Sequence, residues 1–133
     1  MKQLKKFALI CIALVGFTLI TQAAVNALTP QPEILSATNI LESETNNNGG
    51  IVDLVVEFSN TEYLELFEII NNIPSNYQGI FCVEYLSEKS SVTIRISNLT
   101  PGLHTFIVLA SSSEDPIGTW SKPFTVYVNE PQN

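Results

Sequence analysis

The stretch LTPGLHTFIVLA, residues 99–110, puts a proline–glycine pair in front of an alternating apolar run. Pro101 and Gly102 favour a turn, because proline presets one backbone angle and glycine tolerates conformations that other residues avoid. After this pair, apolar residues recur at every second position from Phe106 onward, which is the period of a strand with one buried face. The stretch therefore predicts a turn that leads into a core strand.

The same alternation marks further strands on both sides of this stretch. The predicted strands cover residues 33–41, 51–58, 63–70, 80–86 and 92–98, and a last strand follows Pro123 through Phe124, Val126 and Val128. Polar stretches rich in Gly, Pro, Asn and Ser predict loops or turns at residues 42–50, 74–79, 87–90 and 111–118. Six or seven short strands at this spacing predict an all-β sandwich or barrel.

One of these segments has two interpretations. Residues 59–72 place Glu62, Glu65 and Glu68 at helical spacing, and Ser59 with Glu62 matches a helix capping box. Local periodicity therefore favours a helix, whereas the competing interpretation is a strand over residues 63–70.

The N-terminal 27 residues have the pattern of an export signal. Three lysines precede an apolar run over residues 7–20, and small residues then fit cleavage after Ala27 or after Ala23. The alternative is an uncleaved segment that anchors the chain in a membrane. We expect an extracytoplasmic protein, secreted or periplasmic, in which residues 28–32 are a linker and residues 130–133 a polar tail.

The part of the chain after residue 27 is strongly acidic. It carries three basic against 13 acidic residues, a formal charge of −10. Such a charge repels nucleic-acid phosphates and anionic membrane surfaces, so neither is an expected partner. Cys82 is the single cysteine of this part, so no internal disulfide forms. A buried thiol and a thiol that pairs between molecules remain open alternatives for Cys82.

The turn and the aromatic residue after it resemble a known family. Leu99, Pro101, Gly102 and Phe106 resemble the corner of fibronectin type III domains within the wider immunoglobulin-like class, although Phe106 lacks the hydroxyl of the usual tyrosine. The segment GTWSKP, residues 118–123, is similar to the same family. The resemblance implies a two-sheet sandwich over residues 33–129 with three strands between residues 58 and 106. It therefore favours the strand over the helix for residues 63–70.

Catalytic patterns are missing from the sequence. His104 is the single histidine, and a lone histidine cannot build a catalytic triad or a metal cluster by itself, so we expect it to be a solvated surface residue. There is no Gly-x-Ser-x-Gly elbow, no Gly-rich phosphate loop and no Cys-x-x-Cys pair. We therefore predict no enzyme activity, no cofactor and no metal.

Two regions are candidate binding surfaces. One is the loop of residues 111–118; the alternative interpretation of its carboxylates is a solvated turn with no binding role. The other is an apolar stripe that faces away from the core. The candidate binding residues are Glu114, Asp115, Trp120, Ile107, Leu109 and Tyr127. For Trp120, packing is the plainer interpretation. We expect a secreted interaction module that binds a protein or a glycan; the alternatives are a secreted peptidase inhibitor and a structural subunit that self-associates by edge strands or through Cys82.

Overall fold

The computed structural model describes residues 28–40 and 49–130. Three segments lie outside the described residues: the predicted export signal, residues 41–48 and residues 131–133. Residues 41–48 contain the end of the first predicted strand and most of the predicted loop that follows it. The described part is all-β. Its strands are β1 (Glu33–Ile40), β2 (Gly50–Phe58), β3 (Tyr63–Ile70), β4 (Ile73–Cys82), β5 (Ser90–Leu99), β6 (Gly102–Ser111), β7 (Thr119–Trp120) and β8 (Phe124–Val128).

The strands form two antiparallel sheets. One sheet has the order β1-β2-β5, and the other has the order β4-β3-β6-β7 with β8 also paired to β6. The chain passes from the first sheet to the second between β2 and β3 and returns between β4 and β5. It passes to the second sheet again at the turn between β5 and β6, where Gly102 has a positive φ of 123°. The prediction of an all-β two-sheet sandwich is confirmed, with the two-residue β7 as an additional short strand.

The core lies between the two sheets and consists of alternating side chains. Phe106 is fully buried, as are Leu54 of β2 and Leu66 of β3. Leu99 at the end of β5 is also buried. Each of these residues occupies the inward position of its strand, which is the position that the period-two pattern assigns to it.

Residues 63–70 form strand β3, so the strand interpretation is confirmed. Leu64 and Leu66 face the core and stand opposite Ala110 and Val108 of β6. The glutamates at helical spacing did not produce a helix. A strand that is paired on both sides gains backbone hydrogen bonds and burial that local spacing does not describe.

The predicted turn at residues 74–79 is wrong. The turn lies at Asn71 and Asn72, whose φ angles of 54° and 65° are those of a two-residue hairpin turn. Residues 74–79 belong to β4, which begins at Ile73 and ends at Cys82, so the predicted strand 80–86 also ends too late. Because β4 is an edge strand, it accommodates Pro74 and two irregularities in its pairing with β3.

Candidate functional site

The outer face of the three-stranded sheet is polar, and two of its carboxylates are paired with basic side chains. Arg95 of β5 donates two hydrogen bonds, of 2.8 and 2.9 Å, to the carboxylate of Asp53 on β2. Hydrogen bonding from this guanidinium holds the pKa of Asp53 below its ordinary value. Lys89 contacts Glu57 at 3.4 Å. This face therefore resembles an ordinary solvated surface.

The outer face of the five-stranded sheet is mostly apolar. We call it the aromatic face and define it by the outward side chains of Tyr63, Glu65, Phe67, Tyr77, Ile80, Leu103, Ile107, Leu109, Trp120 and Tyr127. Several of its large members are exposed, among them Tyr77, Ile80 and Tyr127. Contiguous apolar surface of this kind is typical of an interaction site.

Three aromatic rings of this face contact one another across four strands. The Phe67 ring lies 5.2 Å from the Tyr77 ring and 5.4 Å from the Trp120 ring, measured between centroids. Phe67 is on β3 and Trp120 on β7, so their rings meet above the intervening β6 and leave Ile107 only 9% exposed. The planes are tilted by 56° and 59°. The rings therefore form an uneven surface rather than a flat one.

Four of the candidate binding residues lie on the aromatic face. Leu109 stands opposite Trp120, and Tyr127 of β8 stands opposite Leu103 of β6. Ile107 is the residue beneath the ring contact. Trp120 packs against Phe67 and keeps 39% of its surface exposed. It is therefore placed both to pack within the domain and to contact a partner, the two interpretations that its sequence position allowed.

The loop carboxylates have different positions. Glu114 is exposed, whereas Asp115 is buried and its carboxylate is hydrogen-bonded inside the domain. The backbone N–H of Thr29 donates to Asp115 Oδ2 at 2.8 Å, and that of Gly118 donates to Oδ1 at 3.2 Å. These hydrogen bonds, that from Thr29 foremost, hold the pKa of Asp115 below its ordinary value. The carboxylate of Asp115 is therefore used for structural contacts inside the domain.

The partner of Asp115 belongs to the segment predicted as a linker. We call residues 28–32 the strap, because they pack along β7. Besides the bond to Asp115, the Thr29 carbonyl accepts from Thr119 Oγ1 at 2.6 Å, and Gln31 Nε2 donates to the Trp120 carbonyl at 3.0 Å. Pro32 is fully buried. The strap therefore belongs to the folded domain.

The expectation of a solvated His104 is wrong. Its side chain faces the core beside Phe106 and is only 10% exposed. Nε2 donates to the Thr100 carbonyl at 2.7 Å, and Nδ1 contacts the Glu68 carboxylate at 2.5 Å. His104 occupies the inward register of β6, so the alternation that placed Phe106 in the core already contained the signal. These two contacts of His104 connect the β5–β6 turn to β3.

Cys82 ends β4 at the rim of the aromatic face. It is exposed and stands opposite Tyr63 of β3. Its exposure disagrees with the alternative of a buried thiol.

Other site types have little support in the described part of the chain. A groove of about 430 Å³ runs between the strap and the start of β8, and Glu33 and Lys122 are its charged lining residues. Within residues 28–40 and 49–130 no set of three or more His, Cys, Asp or Glu side chains is grouped as a metal site would require. In those same ranges no helix has the length and apolarity needed to cross a membrane.

Comparison of the chain with protein-family models, with curated proteins and with solved structures finds no match.

Six members of the aromatic face were missed from the sequence, and three of them show the reason. Phe67 and Glu65 alternate outward against the buried Leu64 and Leu66, a signal that the competing helical spacing obscured. Tyr77 fell within the wrongly predicted turn. Their meeting on one face depends on the pairing of β3 with β4 and β6.

Proposed function

We propose that this protein is an extracytoplasmic, non-catalytic recognition module of fibronectin type III-like fold that binds another protein through the aromatic face. The observation that carries the proposal is the contrast between the two outer faces. One sheet presents polar and charged side chains to solvent, and the other presents large apolar and aromatic side chains that have no cover in the described structure. Tyr and Trp are the residues that most often dominate the energy of protein interfaces.

A protein fits this surface better than a glycan does. Sugar rings stack on flat aromatic surfaces, whereas the rings of Tyr77, Phe67 and Trp120 are tilted against one another. Beside the rings lie the aliphatic side chains of Ile80 and Leu109, which stand on either side of Glu65 in the register. An uneven apolar surface accommodates the side chains of a partner protein, and the fully desolvated centre of such a contact supplies most of its affinity.

The export signal predicted for residues 1–27 supports an extracytoplasmic setting. The resemblance to fibronectin type III domains agrees with the three strands found between Phe58 and Phe106. The loop of residues 111–118 is a weaker candidate for the contact, because the carboxylate of Asp115 is occupied by Thr29 and Gly118. The aromatic face therefore replaces this loop as the main binding surface in our proposal.

A matched pair of tyrosines tests the proposal. Tyr77 lies on the aromatic face and is 51% exposed, while Tyr85 lies in the connection between β4 and β5 and is 48% exposed. The full chain and its Tyr77→Ala and Tyr85→Ala variants are immobilised and used to capture proteins from the extracytoplasmic fluid of the source cells. Circular dichroism confirms that each variant is folded.

We expect a protein that binds the unchanged chain and the Tyr85→Ala variant, with binding to the Tyr77→Ala variant weakened about tenfold or more. Equal binding to the two variants would contradict the proposal. Capture of the same chain alone would instead favour self-association.

A further inference from the structure

We infer that Glu65 is the specificity residue of the aromatic face and that it pairs with a lysine or arginine on a basic partner protein. The inference rests on the proposed function and names the chemistry of the partner. It starts from the position of this single carboxylate at the centre of an apolar surface.

Glu65 is surrounded by apolar side chains. It stands opposite Ile80 of β4 on one side and Leu109 of β6 on the other, and Tyr63 and Phe67 flank it along β3. Glu65 itself is partly buried. Across the described residues, no hydrogen-bond donor and no cation is paired with its carboxylate.

The other partly or fully buried carboxylates of the described structure all have partners. The pairs are Asp53 with Arg95, Glu57 with Lys89, Glu62 with Ser113, Glu68 with His104, and Asp115 with Thr29. The remaining described carboxylates without a partner, such as Glu88 and Glu114, are exposed to solvent. Glu65 therefore differs from every other carboxylate in the described ranges, since it is partly buried and unpaired.

An apolar partner alone would not suit this surface. Covering the face would remove water from the Glu65 carboxylate, and burial of an unpaired charge is strongly unfavourable. A cation from the partner compensates for the lost hydration of the Glu65 carboxylate. The neighbouring rings strengthen the preference for a cationic side chain, because an arginine or lysine close to Trp120 or Tyr77 is attracted by the face of the ring.

Charge complementarity excludes the main competing occupants. A second copy of the chain would approach with its own net charge of −10 beyond residue 27. A free metal ion would find one carboxylate among apolar neighbours, whereas calcium takes six to eight oxygen ligands. The described basic side chains of this chain lie elsewhere: Arg95 and Lys89 are at the opposite sheet, and Lys122 lies beside the strap. The cation therefore comes from another protein.

The test uses a random short-peptide library displayed on phage and selected against the full chain, in the form that cells produce. Selected peptides are synthesised, and their affinities are measured for the unchanged chain and for the Glu65→Gln, Glu88→Gln and Tyr77→Ala variants. Glu88→Gln is the matched control, because it removes the same charge from an exposed site outside the face.

We expect peptides whose binding requires Tyr77 to be rich in arginine or lysine beside apolar residues. Their affinity should fall about tenfold for Glu65→Gln, remain within about twofold for Glu88→Gln, and weaken as salt is raised. A Glu65→Arg variant should recover affinity when the critical basic residue of the peptide is changed to glutamate. This recovery would not follow from a merely structural role of Glu65.

Two results would overturn the inference. Peptides that require Tyr77 but bind Glu65→Gln unchanged would show that the face binds without the charge, and the proposed function would stand. A selection that yields no peptide dependent on Tyr77 would also count against the inference, and the capture experiment with Tyr77→Ala and Tyr85→Ala then decides the proposed function separately.

Discussion

Replacing Asp115 with asparagine tests how the strap is held to the domain. The carboxylate accepts hydrogen bonds from the backbone N–H groups of Thr29 and Gly118, and the bond from Thr29 is buried. Hydrogen bonds to a charged group contribute about 1.5–3 kcal/mol each and neutral ones about 1 kcal/mol. Asparagine keeps one acceptor oxygen and loses the charge. We therefore expect Asp115→Asn to lower the free energy of unfolding by about 1–3 kcal/mol at pH 7.

The effect of this substitution depends on pH in a defined direction. The pKa of Asp115 is lowered in the folded protein, chiefly by the hydrogen bond from Thr29. Ionised Asp115 contributes fully to the free energy of unfolding above its pKa in the unfolded chain, which is about 4. This contribution is lost as the pH falls through the lower pKa of the folded protein. The difference in stability between the unchanged chain and the variant should therefore narrow below pH of about 4.

Urea unfolding followed by the fluorescence of Trp120 measures both effects. Trp120 is the single tryptophan, and its carbonyl accepts a hydrogen bond from Gln31 of the strap. The control is Glu114→Gln, which removes the same charge from the exposed neighbour. We expect Glu114→Gln to change the free energy of unfolding by less than about 0.5 kcal/mol.

Two results would refute this account of the strap. A loss at pH 7 that is no larger for Asp115→Asn than for Glu114→Gln would show that the buried hydrogen bonds do not stabilise the domain. A large loss that stays constant from neutral pH into acid would show that the stabilisation comes from packing and not from the ionised carboxylate.

Three further substitutions have defined outcomes. Phe106→Ala removes a fully buried ring from the core, and urea unfolding should show a loss of about 3–5 kcal/mol, or no folded protein at all. Gly118→Ala should lower the melting temperature measured by circular dichroism, because its Cβ would lie 2.4 Å from the Ala110 carbonyl oxygen at a φ of 78°. Arg95→Ala breaks an exposed pair and should cost about 1 kcal/mol or less in urea unfolding at pH 7. That small difference should shrink in acid as Asp53, whose pKa is lowered by Arg95, becomes protonated.

Alternation along single strands was enough to predict most of the fold. The inward residues of β2, such as Val52, Leu54 and Val56, are buried as their spacing indicates. His104 shows that the same pattern outweighs residue type. A histidine in the inward register of β6 is buried, and the fold supplies Glu68 and the Thr100 carbonyl as its partners.

Turn composition was a weaker guide than strand alternation. Pro74, Asn76 and Gly79 are turn-forming residues, yet they lie in β4. An edge strand has one unpaired side, so it tolerates a proline and pairing irregularities that a central strand would not. The adjacent Asn71 and Asn72 make the turn instead, because asparagine adopts positive φ more readily than most residues.

The sequence alone determined most of the strands and the core positions of β2 and β6, because period-two alternation is a local property of each strand. For residues 63–70 the same local reasoning favoured a helix, so the sequence by itself left that strand open. It did not determine the aromatic face, since Phe67, Tyr77 and Trp120 come from three strands whose register is set by pairing between distant segments. Only the tertiary structure decided which carboxylates have partners. The bond between Thr29 and Asp115 joins residues 86 positions apart, whereas Glu65 is left unpaired among apolar neighbours in the described structure.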